Sequence, residues 1–139
     1  MNHLKKLEIL NSFIPNTLME TLDIIYTDVG DDFLVATMPV SEKVYQPLGL
    51  LHGGATLALA ESVGSTASYF LIDRDKFEIR GLEISANHLR SVRSGVVTAT
   101  AKIIHKGRTT HLWEIRIVDE DKNLVTLCKL TNIVLPKIK

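Results

Sequence analysis

Residues 46–73 read QPLGLLHGGATLALAESVGSTASYFLID, and the run from His52 to about Ile72 is the one long helix in the chain. It is rich in Ala, Leu and Ser, and Asp73 with its charged neighbours closes it. Two features do not belong to an ordinary packing helix. Gly53 and Gly54 stand at its start, where a single glycine already costs ~1 kcal/mol of helix stability relative to alanine. They form either a tight turn or a helix start whose first N–H groups stay open, and those donors with the helix dipole can receive developing negative charge. Glu61 is the second feature. No other charge lies between His52 and Asp73, and Leu57, Ala58, Ser65 and Ser68 share its helical face. A single glutamate on a helix ordinarily points to solvent. Among Ala and Leu a carboxylate is costly to bury, however, and such placements are often functional. Ser65, one turn on, is within reach of that carboxylate or of a water.

The flanking sequence supplies the sheet. Residues 4–13 form a short helical pattern with Leu4, Leu7, Ile9, Leu10 and Phe13 on or near one stripe, and a second helical turn is expected at 16–21 with Asn16 as its N-cap. Residues 22–28 (LDIIYTD) and 33–39 (FLVATMP) read as two strands around the turn Val29-Gly30-Asp31-Asp32, and Pro39 ends the second. Residues 40–51 are irregular. After the helix, residues 78–90, 95–105, 110–118 and 124–135 alternate or run apolar, linked at 105–108 (HKGR) and 119–123 (DEDKN) by hairpin-like turns. In 110–118, Trp113, Ile115 and Ile117 share one face while Leu112, Glu114 and Arg116 share the other. Two strands, one helix and four strands give an α+β class, an antiparallel sheet wrapped on one apolar helix.

Composition narrows the function. The 139 residues, with 45% apolar and 23% charged side chains and no repeat or linker, are read as one folded domain, 1–139. Sixteen Lys and Arg balance sixteen Asp and Glu, which offers no basic surface for nucleic acid or membrane. One cysteine, Cys128, excludes an intramolecular disulfide and a multi-thiolate zinc site. The start MNHLKKLEIL is broken by Glu8, Asn11 and Pro15, and the apolar region from Leu48 to Ile72 by His52 and Glu61, so a soluble cytoplasmic protein is expected. No GxGxxG, P-loop, GxSxG or HExxH is present, and the five histidines lack metal-site spacing.

The stretch Gln46-Pro-Leu-Gly-Leu-Leu-His-Gly-Gly-Ala-Thr-Leu-Ala-Leu-Ala-Glu61-Ser-Val-Gly-Ser65 resembles the signature of the hotdog-fold acyl-CoA thioesterases. The nearest branch holds 1,4-dihydroxy-2-naphthoyl-CoA and phenylacetate-pathway thioesterases. Gly81-Leu-Glu-Ile-Ser-Ala-Asn-His-Leu-Arg-Ser91 and Gly107-Arg-Thr-Thr-His-Leu-Trp-Glu114 resemble it too, so the likeness runs over roughly residues 20–135. The resemblance implies a hotdog fold, thioester hydrolysis, no separate cofactor beyond the coenzyme A of the substrate, and pairs of dimers. Glu61 matches the family's catalytic carboxylate and the Gly53 N–H the donor that polarises the thioester carbonyl. Gln46 and His52 match residues lining that site, and Ser65 a position near the carboxylate. Gly81, the segment His88, Leu89, Arg90 and Ser91, and the segment His105, Lys106, Gly107, Arg108, Thr109 and Thr110 match segments that contact coenzyme A. Ser85 stands where the family more often has Asn, and Thr109-Thr110 replaces a more polar or basic pair.

Without a Ser–His–Asp signature, hydrolysis needs a carboxylate that attacks the carbonyl or activates water. Arg90, Lys106 and Arg108 are candidates to meet coenzyme A phosphates. A hotdog hydratase or dehydratase and a non-catalytic acyl-CoA sensor are the rivals; the first relies on a His-plus-acid pair, and the second lacks the carboxylate or carries a DNA-binding module. Aromatic, hydroxyaromatic and medium-chain acyl groups all suit an apolar pocket. Gly53 and Glu61 are eight residues apart, ~12 Å along one helix, yet both must reach one thioester. Two antiparallel helices in a homodimer meet that demand, each lending its N-terminus to the other's glutamate.

Overall fold

The computed structural model describes residues 1–138. Two short helices, α1 (His3–Ser12) and α2 (Leu18–Thr21), precede strands β1 (Ile25–Val29) and β2 (Phe33–Pro39). The central helix α3 (Gly53–Ala67) runs into a 3-10 turn at Tyr69–Leu71, and β3 (Phe77–His88), β4 (Val96–Lys106), β5 (Thr110–Val118) and β6 (Leu124–Pro136) follow. All six strands form one antiparallel sheet in the order β1-β2-β4-β5-β6-β3.

The alternation read in the sequence sets the core. Trp113, Ile115 and Ile117 on β5 are buried, as are Leu34, Ala36 and Met38 on β2 and Val97, Ala99 and Ala101 on β4. Against this face α3 lays Thr56, Leu59, Ala60, Val63 and Gly64. Gly64 is a point of close approach between helix and sheet: a Cβ there would lie 2.5 Å from Cδ2 of Leu130. The missing side chain lets the helix backbone settle onto β6.

Two local expectations change. Asn16 does not cap α2; it sits at φ 65°, and Thr17 is the N-cap, without a side-chain hydrogen bond to the helix. The Thr17 hydroxyl instead donates back to the Ile14 carbonyl at 2.6 Å. The first strand begins at Ile25 rather than residue 22, because Leu22 ends α2 and Asp23 takes a left-handed conformation (φ 56°).

The two sheet edges differ. At β1, Asn11 of α1 pairs with the backbone of Tyr26 in both directions, its Nδ2 donating to the carbonyl and its Oδ1 accepting the N–H, each at 2.9 Å. That edge is partly occupied. At β3, twelve residues form an uncovered edge, and Leu82 there is exposed. Long bare edges are templates for another strand.

Candidate active site

His52 caps α3. Its Nδ1 accepts the Gly54 N–H at 2.7 Å, so that nitrogen carries no proton and the ring closes over the helix start. Gly54 has to be bare here, since a Cβ would lie 2.8 Å from the His52 ring. The Gly53 N–H is left over. Among the described residues no hydrogen bond uses it. A cavity of about 340 Å³ opens in front of it, lined by Gln46, Gly53, His88, Leu89, Arg90 and Ser91 among others. The His88 ring approaches to 3.0 Å of where a Gly53 Cβ would stand, and its Nδ1 meets the Thr126 hydroxyl at 3.1 Å. The Gln46 side-chain Oε1 accepts the Leu48 N–H and holds the loop that forms the cavity wall.

Glu61 does not face that cavity. It is exposed in the single chain, which departs from the expectation of a carboxylate enclosed by Ala and Leu. The reason is geometric. The buried stripe of α3 meets the sheet, while Glu61 projects toward the β3 edge, where Gly81 leaves the backbone bare. A Cβ on Gly81 would lie 2.5 Å from Oε1 of Glu61 and 3.6 Å from the Ser65 hydroxyl oxygen. Glu61, Ser65 and Gly81 therefore converge, beside a β-bulge between Gly81 and Glu83. Gly81, matched by resemblance to a coenzyme A segment, lies against the carboxylate itself.

These two half-sites can be set beside known proteins. The Thioesterase superfamily profile matches residues 48–126, the span from the loop before α3 to β6. The chain is 44% identical over 129 residues to the 1,4-dihydroxy-2-naphthoyl-CoA hydrolase of Escherichia coli, covering 93% of this chain and 94% of that one. It is 46% identical over 129 residues to the proofreading thioesterase EntH of Cronobacter sakazakii, covering 93% of both. The crystal structure of a mutant thioesterase from Pseudomonas aeruginosa matches it with a TM-score of 0.92 at 46% identity over 94% of each chain. The chain belongs to the thioesterase superfamily. It has the hotdog fold, and its enzyme class is thioester hydrolase.

The β4–β5 hairpin of this thioesterase stands apart from the cavity at Gly53. None of the residues from His105 to Thr110 lines it. His105, Lys106, Arg108 and Thr109 are exposed, and the backbone of the turn is tied by the Gly107 N–H donating to the Thr110 carbonyl at 2.8 Å. Arg90 does line the cavity, with its guanidinium Nε 3.5 Å from Asp119. The Asp119 carboxyl is held below the usual carboxylate range, first by the Asn123 N–H and then by further hydrogen bonds and Arg90. A second cavity, of about 510 Å³, begins at Ser65 and Thr66 and is walled by Phe13, Tyr69, Ile72 and Phe77. Among the described residues no three His, Cys, Asp or Glu side chains converge as metal ligands do, and no helix is long and apolar enough to cross a membrane.

The sequence reading missed a buried polar cluster in the thioesterase. Ser68, His111 and Asn132 are all at most 1% exposed, and they meet at the end of α3 with the Trp113 indole. A signal was present: His111 has the same strand parity as Trp113, Ile115 and Ile117, so alternation alone places a histidine on the core face.

Proposed function

We propose that this thioesterase hydrolyses an aromatic or medium-chain acyl-CoA to the free acid and coenzyme A at a site shared by two copies of the chain. Glu61 supplies the carboxylate, as nucleophile or as base for a water, and the Gly53 N–H of the partner polarises the thioester carbonyl. The observation that carries this reading is the division of the machinery. The free N–H of α3 faces one cavity, the carboxylate lies against Gly81 eight residues further along the helix and outside that cavity, and each half-site is open.

Chemistry supports the rest. Coenzyme A supplies the thiol leaving group and arrives with the substrate, so no further cofactor enters. His52 contributes by orientation: its unprotonated Nδ1 takes up the Gly54 N–H, which leaves Gly53 as the open donor at the helix start. Arg90 and Ser91 at the rim of the Gly53 cavity suit the phosphates of coenzyme A. The cavity beside Ser65, where Phe13, Tyr69 and Phe77 stand with Arg74, Glu78 and Lys137, is mostly apolar and suits an aromatic or alkyl acyl group. The relatives' names, a naphthoyl-CoA hydrolase and a proofreading thioesterase, support the same class.

The test mixes subunits. Glu61→Ala removes the carboxylate, and Gly53→Pro removes the N–H at a position where the preceding His52 already has the extended backbone (φ −69°, ψ 130°) that a following proline requires. Each parent is inactive. Random exchange makes half the dimers mixed with one intact site of two, so about a quarter of wild-type thiol release returns. No recovery after exchange is demonstrated would overturn the shared site.

A further inference from the structure

The buried cluster at the end of α3 solves a hydrogen-bond equation with one answer. The Ser68 oxygen has three neighbours: Nε1 of Trp113 at 2.9 Å, Nδ2 of Asn132 at 2.9 Å and Nδ1 of His111 at 2.8 Å. An indole N–H only donates. Nδ2 of Asn132 also lies 3.0 Å from the Gly64 carbonyl, an obligate acceptor, so this end of the amide is the NH₂. Those two donors fill both lone pairs of the Ser68 oxygen. Its single proton must then go to Nδ1 of His111, which makes His111 a neutral imidazole protonated at Nε2. An imidazolium would bring a third donor to an oxygen with no lone pair left and would strand the serine proton.

The same cluster reaches the half-site at Glu61. Across the sheet, Lys106, His111, Asn132 and Gly81 are register partners on β4, β5, β6 and β3, one row ending at the bare backbone under Glu61. With its NH₂ committed to Gly64 and Ser68, Asn132 turns Oδ1 toward the Ser65 hydroxyl, at a long 3.5 Å. Ser65 thus gives its proton to Asn132 rather than to Glu61. We infer that Asn132, locked by Ser68 and a neutral His111, is a positioning residue of the hydrolytic site, fixing the α3 backbone at Gly64 and the direction of the Ser65 hydroxyl. This rests on the reading of Glu61 as the working carboxylate.

The lock is sensitive to protons. Burial, with the Lys106 ammonium opposite on β4 as the smaller cause, pushes the His111 imidazole below the ordinary histidine range. Ser68 and Asn132, which meet it from α3 and β6, do not titrate, and Glu61 is seven residues from Ser68, ~10 Å along α3. Because the folded value lies below the unfolded one, the unfolded chain binds the extra proton first. Stability is whole above about pH 6.5 and falls as pH drops through the folded value.

Three variants and one spectrum test the inference. His111→Asn offers an acceptor near the place of Nδ1 that no proton can take, His111→Leu offers none, and Asn132→Asp exchanges the amide donor for an acceptor. Expected are a drop in kcat of about tenfold for His111→Leu and Asn132→Asp with KM within about twofold, and recovery in His111→Asn. His111→Asn is also expected to lose the decline of stability that sets in below about pH 6.5, and the decline of kcat that follows only as the pH passes the lowered value of folded His111. Imidazole ¹⁵N NMR of the wild type at neutral pH shows His111 protonated at Nε2 and bare at Nδ1. A proton on Nδ1, or acid dependence in His111→Asn equal to wild type, overturns the inference, and the second comparison serves even where His111→Leu fails to fold. Should Glu61→Ala keep turnover, the reading of Glu61 fails, while the spectrum and the stability profile still judge the lock.

Discussion

Alanine at position 81 sets a methyl group 2.5 Å from Oε1 of Glu61 and 3.5 Å from its Cδ. Ordinary contact begins near 3.4 Å, so the oxygen has to retreat by about 1 Å. The retreat itself is inexpensive, because the atom that moves is the tip of a flexible, exposed side chain. Gly→Ala in a strand even removes some backbone freedom from the unfolded chain, an effect of about 0.5–1 kcal/mol in favour of folding. Catalysis responds differently. A displacement of about 1 Å in a reacting group costs on the order of 10²-fold in rate, or about 2.7 kcal/mol of barrier. Gly81→Ala is therefore expected to lower kcat by about two orders of magnitude, with urea unfolding within about 1 kcal/mol of wild type. Steady-state thiol release from an aromatic acyl-CoA, alongside urea titration, reads both. A kcat within about threefold of wild type in a folded variant would refute the claim that the bare strand backbone sets the carboxylate's position.

Other consequences are open to direct measurement. In Gly64→Ala the new Cβ would stand 2.5 Å from Cδ2 of Leu130 and 3.2 Å from Cδ1 of Ile115, and overpacking of about 1–3 kcal/mol outweighs the ~1 kcal/mol gained in helix propensity. A net loss of up to about 2 kcal/mol is expected in urea unfolding, and a gain in stability would show that the helix has room to lift. Burial pushes the Cys128 thiol up to about 11, so at pH 8 about one molecule in a thousand is thiolate. Thiol reagents should label Cys128 only on unfolding, which leaves the coenzyme A thiol as the only signal in a release assay; rapid labelling of the native chain would contradict its burial. Arg90→Ala is expected to raise KM for an acyl-CoA with little change in kcat, and wild-type KM should rise with salt. An unchanged KM would mean that Arg90 serves its ion pair with Asp119 alone.

Much of the fold was legible because its signals are local. The α3 pattern, the strand alternation and the turns at 105–108 and 119–123 depend on neighbours within a few residues, and the structure places elements there. Asn16 shows the limit of such signals, since an asparagine after proline suits both an N-cap and a left-handed turn, and the turn is what forms. The strand order was not legible. Sequence proximity suggests that β3 pairs with β4, yet residues 89–95 carry the chain across so that β3 pairs with β6 and β4 with β2. That crossover brings Gly81 beside Asn132 and beneath Glu61. The local sequence around Glu61 therefore described its own turn of helix correctly and its surroundings wrongly, because the surroundings come from a strand twenty residues away. His111 and Asn132 fall between these cases. Their parity marks the core face, but one histidine and one asparagine reveal a network only when Ser68 arrives from the helix.

The exposure of Glu61 in one chain is itself an argument about assembly. A carboxylate in open water is fully solvated, and a tetrahedral oxyanion formed beside it gains little from an N–H ~12 Å along the same helix. Both deficits end together if the uncovered β3 edge takes a second β3, because that pairing sets the two α3 helices side by side on one continuous sheet. On the proposed reading, a two-fold axis through the edge would make those helices antiparallel and bring each open Gly53 N–H toward the other chain's Glu61. The β1 edge is already partly occupied, since Asn11 bonds the backbone of Tyr26 there. On the proposed reading, the asymmetry between the two edges, a helix residue partly occupying one and none of the described residues covering the other, therefore links an unremarkable asparagine in α1 to where the active site is completed.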